Sequence, residues 1–247
     1  MAITKPYRRT ARPFVGGDYS SGGTWAYVMH PKFAVDPHHY VRAFLVLQKD
    51  LLELFDYIEP ADKNLPAYSF RVHELLLRVC VEIEANCKAV LRENGYTKQG
   101  IWNITDYRKV ESSHLLSRFE IKFPTWHGAS GVRCPFNAWS AGQSTAWYDA
   151  YNEAKHNRHA GFENANFQHL TDAFCGLVAL LSAQFWTHDY VPESNIVGVM
   201  GPGDGFDAAL GSYFRVKFPT NIADIHRYSF NWEAMKNDPD PFQNFAY

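Results

Sequence analysis

Cysteine is scarce: the 247 residues hold four, at positions 80, 87, 134 and 175, and no two form a Cys-x-x-Cys pair. That excludes a disulfide scaffold: Cys80 and Cys87, seven apart within a helical pattern, share one face, and all four read as buried thiols in a reducing compartment. A surplus of charge is missing as well, since 24 Lys and Arg stand against 26 Asp and Glu for a formal net of -2. No overall positive field exists to gather a phosphate backbone, so any nucleic-acid contact requires a local patch. No apolar run reaches the roughly 20 residues of a membrane span. The longest, 170–186, is interrupted by Asp172, Ser182 and Gln184.

Lys5, Arg8, Arg9 and Arg12 mark the N-terminus, with no apolar stretch behind them. A secretory signal is therefore not expected, and the chain reads as a cytoplasmic protein that does not enter a membrane. Chemical signatures are sparse too. There is no Gly-x-Ser-x-Gly elbow, and the glycine-rich stretch 198–205 lacks a Gly-Lys-Ser/Thr ending, so it reads as a connection. Neither His30, His38 and His39 nor His156, His159 and His169 have the companion spacing of a zinc motif. No metal and no cofactor are expected.

Of the residues present, 46% are hydrophobic and 16% aromatic. This is enough for one large ordered domain or two small ones. Glycines and prolines punctuate residues 1–36, which read as an arm on the domain. From Pro37 an amphipathic helix is predicted, with Val41, Phe44, Leu45, Leu51, Leu52, Phe55 and Ile58 on one side, ended by Pro60. A second follows Asn64 and Pro66 and runs to Gly95, striped by Val72, Leu76, Val79, Cys80, Ile83, Cys87 and Val90. The short link makes the two antiparallel neighbours. The helical period lapses in 96–142, an inserted loop and strand region. It returns in a third helix from about Ser144 to His156 and a fourth from about Asn166 to Thr187, the most apolar of the set. Residues 189–247 form a C-terminal extension with one strand. The expected fold is mainly α: a four-helix bundle core over 37–188 with a small β element from the insertion and the tail.

Two segments echo each other, Ser-Arg-Phe-Glu-Ile-Lys-Phe-Pro-Thr at 117–125 and Ser-Tyr-Phe-Arg-Val-Lys-Phe-Pro-Thr at 212–220. Strand composition alone accounts for the echo. Pairing of the two as strands is the sharper reading, with Glu120, Lys122, Arg215 and Lys217 sharing a solvent face.

The third helix carries the most chemistry. Asp149, Asn152 and His156 fall at i, i+3 and i+7 and so share a face, while Trp147, Tyr151 and Ala154 take a neighbouring face that can anchor the helix. Lys155, Arg158 and His159 gather positive charge at the helix end, where the dipole also favours cations. These residues read either as helix-end charges or as a polar site. On the second helix Arg71, Glu74, Arg78 and Glu82 form a charged stripe, which suits either a solvated face or, through Glu74 and Arg78, an extension of that site.

Two long helices, an insertion, then a short polar helix bearing Asn-x-x-x-His and an apolar helix resemble the HEPN superfamily of α-helical bundles, over about Pro37 to Thr187. The family motif is Arg followed after four to six residues by His, often with Asn directly after the Arg. Asn152 and His156 match the Asn and His, and Tyr151 stands at the Arg position. The resemblance implies a homodimer that cuts RNA without metal, in a toxin or defence system. His156 would act as general base or acid, Asn152 would orient it or the phosphate, and Lys155 or Arg158 would supply charge. Tyr151 offers base stacking or one hydrogen bond but cannot neutralise a phosphate. The alternative is a catalytically silent HEPN-like module whose Tyr151, Asp149, Arg158, His159, Glu74 and Arg78 contact a partner protein or nucleotide.

Overall fold

The computed structural model describes residues 2–17, 25–188, 190 and 204–247. It is mainly α with a small antiparallel sheet. The helices are α1 (Pro37–Phe55), α2 (Phe70–Glu93), α3 (Ile104–Tyr107), α4 (Val110–His114), α5 (Ala146–His156), α6 (Arg158–Gly161), α7 (Phe167–Phe185) and α8 (Trp232–Met235). The strands are β1 (Glu120–Lys122), β2 (Val132–Arg133), β3 (Asp207–Ala208) and β4 (Arg215–Lys217), in the order β2-β1-β4-β3. Most of the expected glycine connection, 198–203, lies outside the described residues.

α2 is the hub, packed on α1, α5 and α7, and α7 also packs on α5. Residues 39–47 of α1 line one groove with 77–82 of α2, and residues 50–57 line another with 71–78, so the two helices run antiparallel. The start of α2 is set by Ser69, whose side chain accepts from the Val72 N–H at 3.2 Å, and its end by Gly95 in a left-handed conformation, φ 82°. Such a start satisfies one of the orphan donors of the first turn, and glycine takes the positive φ without a Cβ clash. α1 ends at Phe55, before Pro60.

α7 is apolar nearly all round because the bundle covers one side and the sheet the other. The Phe174 and Phe214 rings stack across that junction, 5.6 Å apart. Cys80, Cys87, Leu177 and Leu181 all sit in one continuous core. The echoing segments pair as β1 and β4, Glu120 opposite Lys217, Ile121 opposite Val216 and Lys122 opposite Arg215. Ile121 and Val216 are fully buried, and the four charged residues take the outer face. Among the cysteines, Cys134 departs from the buried expectation: it follows the edge strand β2 and is exposed.

The N-terminal arm is threaded into the domain. Backbone bonds join Ala11 to Ala183 of α7, Arg9 to Phe33 and Val15 to Tyr228, all within 3.0 Å. Arg9 is fully buried, with Nε 2.6 Å from Glu93 Oε1 and Nη1 3.0 Å from Gln184 Oε1. No helix among the described residues is long and apolar enough to cross a membrane.

Candidate functional site

α5 stands on the core by the face expected to anchor it. Trp147, Ala150, Tyr151 and Ala154 are buried, and the Trp147 indole N–H donates to the Pro135 carbonyl at 2.9 Å. Tyr148 is buried beside them and donates its hydroxyl proton to Glu84 Oε1 of α2 at 2.9 Å. Burial first, and the Glu84 carboxylate second, push the Tyr148 and Tyr151 phenols well up, so both are neutral hydrogen-bonding groups over the physiological range.

Tyr151 is 1% exposed. Lys155, one turn on, donates to the Tyr151 hydroxyl at 3.2 Å and holds its ammonium 5.2 Å from the ring centre. Both contacts tie the cation back onto its own helix. The Tyr151 phenol therefore faces Glu84 and Tyr148 inside the protein, closed to a stacked base.

Asn152 is half-buried and His156 exposed. Their side chains bond to no other described residue, so both are open to an outside partner. Asp149 shares their direction but not their place. It sits in the first turn, favourable for a carboxylate, and accepts from Ser144 Oγ at 2.6 Å. Seven residues at about 1.5 Å each separate it from His156 along the helix axis, so the two do not act on one atom. Asn157, with φ -140° and ψ 59°, breaks the helix before α6, on which His159 is exposed. The Arg158 side chain lies outside what the structure describes.

Glu74 and Arg78 are not brought to α5. Arg78 Nη1 pairs with Asp50 Oδ2 of α1 at 2.5 Å, Glu74 lies 3.7 Å from Arg71, and both line the α1–α2 groove with Tyr57. Among the described residues no three His, Cys, Asp or Glu side chains converge as metal ligands would.

The arm builds a second site that sequence periodicity gave no means to find. A cavity of about 470 Å³ opens between Arg12 of the arm, His114 of α4, Trp186 after α7, and Phe218 and Arg227 of the tail. His114 is 5% exposed, and burial pulls its pKa down to about 3. As a neutral ring its Nε2–H donates to the Arg9 carbonyl at 2.8 Å, which leaves Nδ1 to accept from Ser113 Oγ at 2.7 Å. These residues are far apart in the chain and meet only through tertiary contacts. Set against family models, curated proteins and solved structures, the chain matches none.

Proposed function

We propose that the protein is a HEPN-like binding module, catalytically silent toward RNA, that engages a partner protein or nucleotide through the exposed C-terminal end of α5. The observation that carries this reading is the position of Tyr151. A metal-independent nuclease needs a cation on the scissile phosphate. Here the residue at that place is a core phenol, and the nearest lysine is laid across its ring. Asn152, His156 and His159 remain available as a polar surface with hydrogen-bond donors and acceptors. The buried free thiols of Cys80, Cys87 and Cys175 suit a reducing, cytoplasmic setting.

A second reading, a metal-independent endoribonuclease working as a homodimer, draws on one feature: Asn152 and His156 lie one turn apart with no partner in the described protomer, as residues completed by a second copy would. Tyr148 and Tyr151 cannot form that dimer contact, since both are buried within the protomer. Incubating purified protein with total RNA, with and without chelator, and resolving both cleavage and complex on gels separates the readings. The module reading expects no cleavage under either condition; chelator-resistant cleavage lost in His156→Ala replaces it with the second.

A further inference from the structure

The cavity at the arm is independent of α5 and has a chemistry of its own. Arg12 is 3% exposed, and the acceptors around it are neutral: Nε donates to the Ser113 carbonyl at 3.1 Å, Nη1 to the His226 carbonyl at 2.9 Å, and Nη2 to the carbonyls of Ser112 and Ser113. Carbonyls satisfy N–H groups but leave the full positive charge in place, and a buried charge without a counter-ion is unfavourable. Burial accordingly pulls the Arg12 pKa below its ordinary value, and the groups that favour its charge are phenols, Tyr228 foremost.

Arg227 repeats the carbonyl contacts but is partly exposed and has a carboxylate partner. Its guanidinium donates to the carbonyls of Ile222, Thr220 and Phe14 at 2.8, 3.0 and 3.3 Å, and Asp224, largely exposed, stands 3.6 Å from Nε. The lining holds one carboxylate, Asp207, which is exposed. His114 adds no charge because burial keeps it neutral. Two guanidiniums against one carboxylate leave the lining itself positive, with Asp224 outside it as the partner of Arg227.

The same lining is rich in aromatic side chains. The Trp186 indole is stacked between Trp25, 4.2 Å away at 25°, and Phe218, 3.7 Å away at 21°. Both faces of Trp186 are thereby covered, so it meets the cavity with its edge, and the positive edge of an aromatic ring disfavours an ammonium ion. Trp186, at the C-terminal end of α7, has φ 58°, ψ -127°, and Leu115 on the same lining has φ 54°. L residues rarely adopt such positive φ, and positions of this kind gather at ligand-holding sites.

We propose that this cavity binds a small, flat aromatic monoanion, an aryl or heteroaryl carboxylate, with its ring packed against the Trp186 edge and Phe218 and its charge toward Arg12 and Arg227. One negative charge is favoured over two because both guanidiniums spend most of their N–H groups on backbone carbonyls. A phosphate dianion needs several free donors, whereas a carboxylate is held by the field and one or two bonds.

The test is calorimetric titration of the full chain with 2-naphthoate, naphthalene-2-carboxamide and 2-naphthylmethylammonium, three probes of one shape and different charge. Saturable binding of naphthoate is expected, with the amide at least about tenfold weaker and the ammonium weaker still. Arg227→Gln should weaken naphthoate by about tenfold and leave the amide unchanged, Arg227→Lys should restore most of the loss, and Phe218→Ala should weaken both. Failure of naphthoate to saturate, equal affinity for the three probes, or an Arg227→Gln variant that folds and binds naphthoate undiminished overturns the proposal. Should the glutamine variant not fold, the order of the three probes on the unmodified protein decides the matter.

Discussion

Lys217 places Nζ 2.8 Å from Glu120 Oε1 across the β1–β4 ladder, while the next cross-strand pair, Ile121 opposite Val216, points the other way into the core. The two pairs hold the tail to the central insertion in unequal measure. A half-exposed ion pair is screened and loses side-chain entropy, so Lys217→Met should change stability by less than about 1 kcal/mol. Val216→Ala removes buried methyls and should cost about 2 kcal/mol or more. Denaturant melts of the two variants check the order, and a larger loss in Lys217→Met would show that the ladder is held by charge.

The same logic applies at the centre of the bundle. Leu177 is fully buried on α7 between the helices and the sheet. Leu177→Ala should cost about 2 to 5 kcal/mol, the spread reflecting how far the surrounding side chains collapse into the cavity. A loss under about 1 kcal/mol in denaturant unfolding would place α7 outside the cooperative core.

Asp62 and Gly128 form a tight local lock. The Asp62 carboxylate accepts from Trp126 Nε1 at 2.7 Å and from the Ala129 and Ser130 backbone N–H groups at 2.7 and 3.1 Å. Foremost among the causes, the Trp126 bond draws its pKa from 3.8 down to about 2. A Cβ on Gly128, at φ 127°, would stand 2.3 Å from that carboxylate. Gly128→Ala must therefore displace it, and its thermal midpoint should fall. A carboxylate whose folded pKa is depressed stabilises above its unfolded pKa and loses that contribution as pH falls through the folded value. The gap in midpoint between the parent protein and Asp62→Asn should thus be full above pH 4 and close on approach to about pH 2. A constant gap across that window would show that the ionised carboxylate is not what holds the loop.

How much of this was legible in the sequence varies with the range of the interaction. Helices α1, α2, α5 and α7 announce themselves because their apolar stripes are local, and their ends lie within a few residues of where Pro37, Gly95, His156 and Thr187 place them. The echo of 117–125 and 212–220 carried the sheet's central pairing, since alternation puts Ile121 and Val216 on one face whatever lies between them. The short turns of α3 and α4 have too few residues to express a period. Arg9, Arg12 and His114 were hidden for a different reason. A charged arm reads as solvated until Glu93, Gln184 and the Ser113 and His226 carbonyls are brought to it from far along the chain. Cys134 was misread as buried because a lone thiol has no neighbour pattern to mark an edge strand. At α5, the anchoring role of Tyr151 was visible from its face, whereas the laying of Lys155 across it was not.

His114 provides a second, separate pH response. Burial lowers its pKa from 6.5 to about 3, so between those values the unfolded chain binds a proton that the folded protein refuses. Stability then falls as pH drops through that window, the sign expected for an imidazole kept neutral by folding. His114→Gln retains hydrogen-bonding capacity without the proton-binding site. Its midpoint should decline less between pH 6.5 and pH 4, a range above most of the Asp62 effect. An equal decline in the variant would assign the acid response elsewhere.

The last prediction concerns α5, where fold and chemistry meet. If the cation at position 151 is all that separates this chain from an active nuclease, Tyr151→Arg should create chelator-resistant RNA cleavage. The geometry argues the opposite. Position 151 projects into the core toward Tyr148 and Glu84, one face away from Asn152 and His156, so an arginine there would pair with Glu84 or be driven out of the core. Tyr151→Arg is therefore expected to remain inert on RNA and to lose stability, because a buried guanidinium gives up its hydration and leaves Lys155 without its phenol. His156→Ala should leave folding intact, as the side chain is exposed and bonded to no described residue. Gain of cleavage in Tyr151→Arg, or wild-type cleavage that falls at least about a hundredfold in His156→Ala, the scale of lost acid–base catalysis, would return the site to catalysis. A binding defect in His156→Ala, with RNA untouched throughout, would fix α5 as a recognition surface.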